Sequence, residues 1–223
     1  ARARVTTATV EVNQAMKTPQ FWLLWVVLCM NVTAGIGILE QASPMIQEIF
    51  KGRVLAPAAA GFGSLLSLAN MGGRFFWSSL SDKIGRRATY STFFALGAGL
   101  YACLPTVAAT ERVPLLVIVC VVVLSMYGGG FATIPAYLRD LFGTMQVGAI
   151  HGRLLTAWST AGVLGPVLVN YIREYQIAHG VAKADAYNIT MYVMAGLLLL
   201  GFTANLLVRA VDARHDYHGA LAG

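Results

Sequence analysis

The residues best suited to chemistry lie in the stretch NMGGRFFWSSLSDKIGRR, residues 70–87. Ser67, Asn70, Arg74 and Ser78 follow one another at three- and four-residue steps, which places them on one face of a helix. An arginine there offers a planar fork of N–H groups that matches a carboxylate, and the match strengthens as water is excluded. That chemistry is capture of a small anion. The alternative is a structural arginine whose head snorkels to the membrane surface or pairs with backbone carbonyls. Softer polar candidates stand in other apolar stretches: Asn31, Gln41, Tyr127, and Trp158 beside Ser159 and Thr160. Each also reads as an interhelical hydrogen bond or as packing bulk. Glu40 reads either as a proton carrier or as a solvated residue at the outer end of its span. No GxSxG, HExxH or P-loop sequence occurs, so an enzyme is not expected and no catalytic residue is assigned.

The elements that position these residues follow from composition. The chain is 57% apolar and only 12% charged, about half the charge of an ordinary soluble domain. A multi-pass membrane protein fits this, and the net charge of +6 reads as positive-inside loops rather than a nucleic-acid partner. About 20 apolar residues cross a bilayer core. Six stretches qualify, at about 20–40, 57–80, 89–109, 114–138, 154–172 and 188–209. Helices are expected, because an open sheet would leave backbone groups unpaired in lipid. The expectation is therefore an all-α membrane protein: a cytoplasmic linker over 1–19, a six-helix bundle over 20–209, and a cytoplasmic tail over 210–223.

Of the sixteen Lys and Arg, ten fall on the side of the N-terminus, five on the other, and Arg74 alone inside a span. That bias puts both termini in the cytoplasm. The polar first residues show no signal-peptide pattern. The three cysteines lie in apolar runs without a CxxC and read as small buried residues. His215 and His218 have i, i+3 spacing but read as part of a solvated tail, so no metal or cofactor is expected. A weak repeat relates GILEQASP (37–44) to GGGFATIP (128–135), both placing Gly seven residues before Pro near a span end. Their opposite directions are what an inverted repeat of three helices would produce. The run YGGG at 127–130 allows close backbone approach or bending, and Gly165-Pro166 reads as a bend or local opening.

The loop SDKIGRR (81–87), with GGR just upstream, resembles the signature of the major facilitator superfamily, found between helices 2 and 3 and again between 8 and 9. Ser78 departs from it, standing where the family has a small Gly. Asp82 and Gly85 suggest a tight reversal in which the carboxylate caps the next helix. Lys83, Arg86 and Arg87 are expected to face anionic headgroups or a neighbouring carboxylate. TPQFWLLW (18–25) and GRLLTAWSTAGVLGP (152–166) resemble the C-terminal half of the oxalate/formate antiporter family.

The resemblance implies one half of a twelve-helix bundle, built as two three-helix inverted repeats and partnered by an N-terminal six-helix half, fused or separate. It implies multi-pass residence in the cell (inner) membrane, with the lipid bilayer and a small carboxylate substrate as partners. It also implies that Arg74 is a ligand to the substrate carboxylate, and that Asp82, Lys83, Gly85, Arg86 and Arg87 belong to a cytoplasmic gate. The family's oxalate carriers pair that arginine with a lysine in helix 11; the corresponding span here has none, and Trp158 stands in its place. One arginine suits a monocarboxylate such as formate, lactate or pyruvate better than it suits oxalate. The function so implied is secondary active transport of small organic anions by alternating access, as antiport or proton symport. The alternatives are a facilitator for a drug or sugar, with Arg74 structural, or a non-transporting six-helix subunit.

Overall fold

A computed structural model describes residues 9–212; the expected tail with His215 and His218 lies outside the described residues. The chain forms α1 (Val12–Ala15), α2 (Pro19–Ile49), α3 (Ala56–Ile84), α4 (Arg86–Ala109), α5 (Val113–Phe142), α6 (Val147–Leu154), α7 (Thr156–Ala178) and α8 (Asn188–Leu207). No strand occurs among the described residues. The long helices α2, α3, α5 and α7 outrun the apolar stretches that announce them. At 1.5 Å per residue, the 31 residues of α2 span about 46 Å against a core of ~30 Å. The stretch 139–153, between the fourth and fifth expected spans, is thus the end of α5 followed by the short helix α6. Thr18 starts α2, its hydroxyl accepting the Phe21 N–H at 3.4 Å with Pro19 in the first turn. Helices α2, α4, α5 and α7 continue through Pro44, Pro105, Pro135 and Pro166, which membrane helices tolerate when neighbours satisfy the freed carbonyls.

Five helical segments are long and apolar enough to cross a membrane: α2, α4, α5, α8 and the run from α6 through α7. The sixth expected span, α3, is long enough at 29 residues but insufficiently apolar. Its serines, glycines, Asn70 and Arg74 account for that, and they mark a helix with one face turned away from lipid.

The six long helices pack as two related triplets, α2–α3–α4 and α5–α7–α8. α3 lies along α5 as α7 lies along α2, α4 contacts α5 as α8 contacts α2, and the α2–α5 and α4–α8 contacts join like to like. The short repeat obeys the same exchange: Gly128 of α5 abuts α3 at Asn70, and Gly37 of α2 abuts α7 at Val169. The core is filled by aromatic residues of α4. The Tyr90 and Tyr101 hydroxyls donate to the Gly130 and Ala34 carbonyls, and Phe94 packs on Gly201 of α8. Residues 9–18 are docked along one end, with Val10 N–H on the Phe142 carbonyl at 3.0 Å and Arg153 on Asn13 at 2.8 Å.

The closest approach is between α3 and α5. A Cβ on Gly73 would overlap the Ser125 carbonyl, and one on Gly128 would overlap the Asn70 carbonyl. Neighbouring Gly72 has open space. Gly73→Ala is therefore expected to destabilise the bundle by ~1–3 kcal/mol through overpacking. Gly72→Ala should be neutral or stabilising by up to ~1 kcal/mol. Thermal unfolding of the two variants in detergent checks the contrast.

Candidate functional site

The α3–α5 contact sets the position of Arg74, one residue after Gly73. Its Nε donates to Asn70 Oδ1 at 3.2 Å, one turn back along α3. The guanidinium carbon stands 5.2 Å from the ring centre of Phe131 on α5, a cation–π contact that steadies the fork. Phe131 in turn lies 6.0 Å from Trp158 of α7, and Tyr127 stands one turn before Phe131 on α5. Arg74, Asn70, Tyr127, Phe131 and Trp158 thus gather from α3, α5 and α7. No carboxylate lies within ion-pair distance of Arg74 among the described residues, and Nη1 and Nη2 have no protein acceptor there. Arg74 is exposed on this open face of the bundle. The arrangement can present two N–H-bearing nitrogens to an anion from an aromatic setting.

Other residues marked by the sequence fall elsewhere. Ser159 neighbours Trp158 on an exposed stretch of α7, its hydroxyl on the Leu155 carbonyl at 3.4 Å. Asn31 is buried against Gly130, and its Oδ1 has no partner among the described residues. It borders a cavity of about 10 Å³ shared with Tyr101 and Tyr127, of which Arg74 is not a lining residue. Gln41 makes an interhelical bond, Nε2 to Asn170 Oδ1 at 2.9 Å. The YGGG run serves close approach: Gly128 meets the α3 backbone, Gly129 meets Trp77 and Gly130 meets Asn31. Gly165 likewise packs on the α2 backbone at Thr33, and α7 remains helical across Pro166. Phe131 escaped the sequence reading, because its value comes from a cation on another helix; its place one turn after Tyr127 was the available signal.

The SDKIGRR loop is the tight reversal expected, with Gly85 alone between α3 and α4 at φ 90°. Only glycine takes that conformation without strain. The expected cap by Asp82 is not formed. Gly85 itself occupies the cap position of α4, and Asp82 lies in the last turn of α3, where it pairs with Arg86 one turn on. Arg86 is buried and also reaches Ser81 and Asp140 of α5, the latter at 3.5 Å. Arg87 donates to the Leu206 carbonyl in the last turn of α8, where a cation complements the helix dipole. Lys83 is exposed.

An all-helical bundle with a glycine-hinged, charge-paired loop and a cation on its open face has the form of half a membrane carrier. The family model for the Major Facilitator Superfamily matches residues 2–166 and again 64–219, and the chain belongs to that superfamily. It is 32% identical over 156 residues to the oxalate:formate antiporter of Oxalobacter formigenes, a match covering 69% of this chain and 36% of that protein. It is 26% identical over 144 residues to the uncharacterized MFS-type transporter YhjX of Escherichia coli strain K12, covering 62% of this chain and 34% of that one. The alignments therefore span about a third of each relative's length.

The Arg86 cluster carries its own prediction. Arg86 is buried and pairs with both Asp82 and Asp140, the latter 13% exposed, so losing it removes a charge partner from two carboxylates at once. Arg86→Met is expected to cost ~3 kcal/mol of stability. Lys83→Met, at an exposed position, should cost under ~0.5 kcal/mol. Unfolding midpoints in detergent separate the two.

Proposed function

We propose that this chain is one six-helix half of a carrier for small organic anions, and that Arg74 anchors the substrate carboxylate. The observation that carries the reading is the Arg74 head itself. It is fixed by Asn70 and Phe131, yet two of its nitrogens have no protein partner. An unpaired guanidinium is costly at membrane depth unless it meets water or an anion. The similarity to a protein named for oxalate and formate exchange supports an anionic substrate. α7 has no Lys or Arg between Thr156 and Ile172, so one cation serves the site and a monocarboxylate fits better than a dianion. Trp158, Phe131 and Tyr127 wall the site, and Asn70 orients the arginine.

In this mechanism the anion binds between this bundle and an N-terminal six-helix half, in contact with Arg74. The two halves then rock to expose the site to either side of the cell membrane. The Asp82–Arg86–Asp140 cluster, with Arg87 and Lys83, lies at the cytoplasmic end, and its ion pairs favour one closed state. Both termini lie on that side.

Uptake of labelled formate, lactate, pyruvate and oxalate into proteoliposomes by the complete carrier tests the reading. Monocarboxylates are expected to enter faster than oxalate. Arg74→Gln should lower uptake by about 10- to 100-fold, the loss of a charged hydrogen-bond pair. Arg74→Lys keeps the charge but not the fork and should fall between. Uptake unchanged in folded Arg74→Gln would make the arginine structural, and no uptake of any of the four anions would remove the substrate class. The supporting contact is tested separately. Phe131→Ala should raise the KM for the anion while Phe131→Tyr, which keeps the ring face, should leave it near wild type.

A further inference from the structure

The turn between α4 and α5 borders a groove that the anion site does not use. Arg53, from the connection between α2 and α3, pairs with Glu111 of this turn at 2.7 Å. From that pair a groove of about 530 Å³ runs along the start of α5, its walls including Arg53, Glu111, Arg112, Leu115 and Ile118. A second, more polar cavity of about 330 Å³ adjoins the same pair, with Lys51 in its wall. Glu111 has φ 54°, a left-handed conformation uncommon for a residue with a side chain. It helps reverse the chain within three residues, so that the carboxylate meets Arg53 while Arg112 heads α5. Arg112 is exposed, and its side chain has no ion pair or hydrogen bond among the described residues.

The depth of the groove follows from α4. Residues 88–110 carry no charge between Arg87 and Glu111. At 1.5 Å per residue they span about 34 Å, close to the ~30 Å of an apolar core. Glu111 and Arg112 therefore stand at one membrane interface, at the opposite end of α4 from the Arg86 cluster. Beyond Arg112 the sequence runs VPLLVIVCVVVL over 113–124. Leu115 and Ile118 thus lie about 5 and 9 Å deeper than the arginine, among acyl chains.

Helical phase separates the groove from the anion site. Ile118 and Tyr127 are nine residues apart, two and a half turns, which puts them on opposite sides of α5. Ser125, nearly two full turns after Ile118, shares the groove's side and is covered there by Gly73 of α3. Nearer the start of α5 that cover is missing, and Leu115 and Ile118 are 38% and 59% exposed.

We propose that this groove binds an anionic phospholipid, with Arg112 and Arg53 on the headgroup phosphate and an acyl chain along Leu115 and Ile118. Charge and shape both select that occupant. Two arginines and one glutamate leave the rim at +1, which one phosphodiester neutralises. A zwitterionic lipid brings its own cation and leaves that charge unmatched. A soluble anion would leave Leu115 and Ile118 uncovered, and an apolar protein segment would bury Arg112 without a partner. The adjoining polar cavity gives the headgroup room. The site requires only a membrane-spanning bundle, so it stands or falls apart from the anion-carrier reading.

Native mass spectrometry of the complete carrier in detergent tests the proposal, with phosphatidylglycerol or phosphatidylcholine of identical chains as the added lipid. Wild type is expected to bind the first phosphatidylglycerol ~10-fold more tightly than phosphatidylcholine, the worth of one charge-assisted contact. Arg112→Gln, at an exposed position that leaves the fold intact, should bring the two lipids to within ~3-fold of each other. Lys183→Gln removes an exposed cation from the α7–α8 connection, at the same end but outside the groove, and should keep the full preference. Inorganic phosphate in excess should not displace the lipid. Equal affinity for the two lipids in wild type, the result expected where the other half or a second copy covers the groove, would overturn the proposal. So would a preference that survives Arg112→Gln, or one lost equally in Lys183→Gln, the mark of unspecific charge attraction. Displacement by inorganic phosphate would replace the lipid site with one for a free anion.

Discussion

The near-contact of the α3 and α5 backbones governs the rest of this bundle. Gly73 against the Ser125 carbonyl and Gly128 against the Asn70 carbonyl bring two helices closer than any side chain would permit. In a membrane, where no hydrophobic force draws helices together, such small-residue seams are how packing is won. The seam also does the positioning. Because Arg74 follows Gly73 directly, closing it fixes the guanidinium 5.2 Å from Phe131, with its terminal nitrogens unpaired among the described residues. Trp77, four residues after Gly73, seals the same seam with its indole N–H on the Ser125 hydroxyl at 3.1 Å.

Around this seam the fold repeats itself. α7 lies on α2 as α3 lies on α5, and Gly165 against the Thr33 carbonyl is the milder counterpart of Gly73 against Ser125. The two ends of the bundle are tied by charge. At one, buried Arg86 joins α3, α4 and α5 through Asp82 and Asp140; at the other, Arg173 and Tyr187 hold Glu48 and so join α2, α7 and α8. Interhelical ion pairs at the two ends and an open cation near mid-helix are a distribution suited to a rigid body that carries a site on one face.

Much of this was legible in the sequence. The bundle could be read because apolar runs in a membrane protein report helices almost directly, and the stripe through Ser67, Asn70, Arg74 and Ser78 because its spacing is purely local. The Gly-x6-Pro repeat, weak as a pattern, marked helices that are indeed exchanged by the packing. What could not be read depended on partners distant in sequence. Phe131 gains its place from Arg74, 57 positions earlier in the chain. Asp82 reads locally as a cap, yet the one-residue hinge at Gly85 leaves it inside α3, and the pair with Arg86 wins. The end of α2 was not legible either, because polar residues near Pro44 end the apolar run whereas the helix continues past the proline to Ile49.

The central claim is that Arg74 is held ready for a carboxylate. The most direct measurement is an experimental structure of the complete carrier with a monocarboxylate bound. The account predicts the carboxylate oxygens at ~2.7–2.9 Å from the Arg74 terminal nitrogens, with Nε still on Asn70 and the Phe131 ring against the guanidinium. A bound anion elsewhere, with Arg74 paired to a carboxylate or to backbone carbonyls of the other half, would contradict it.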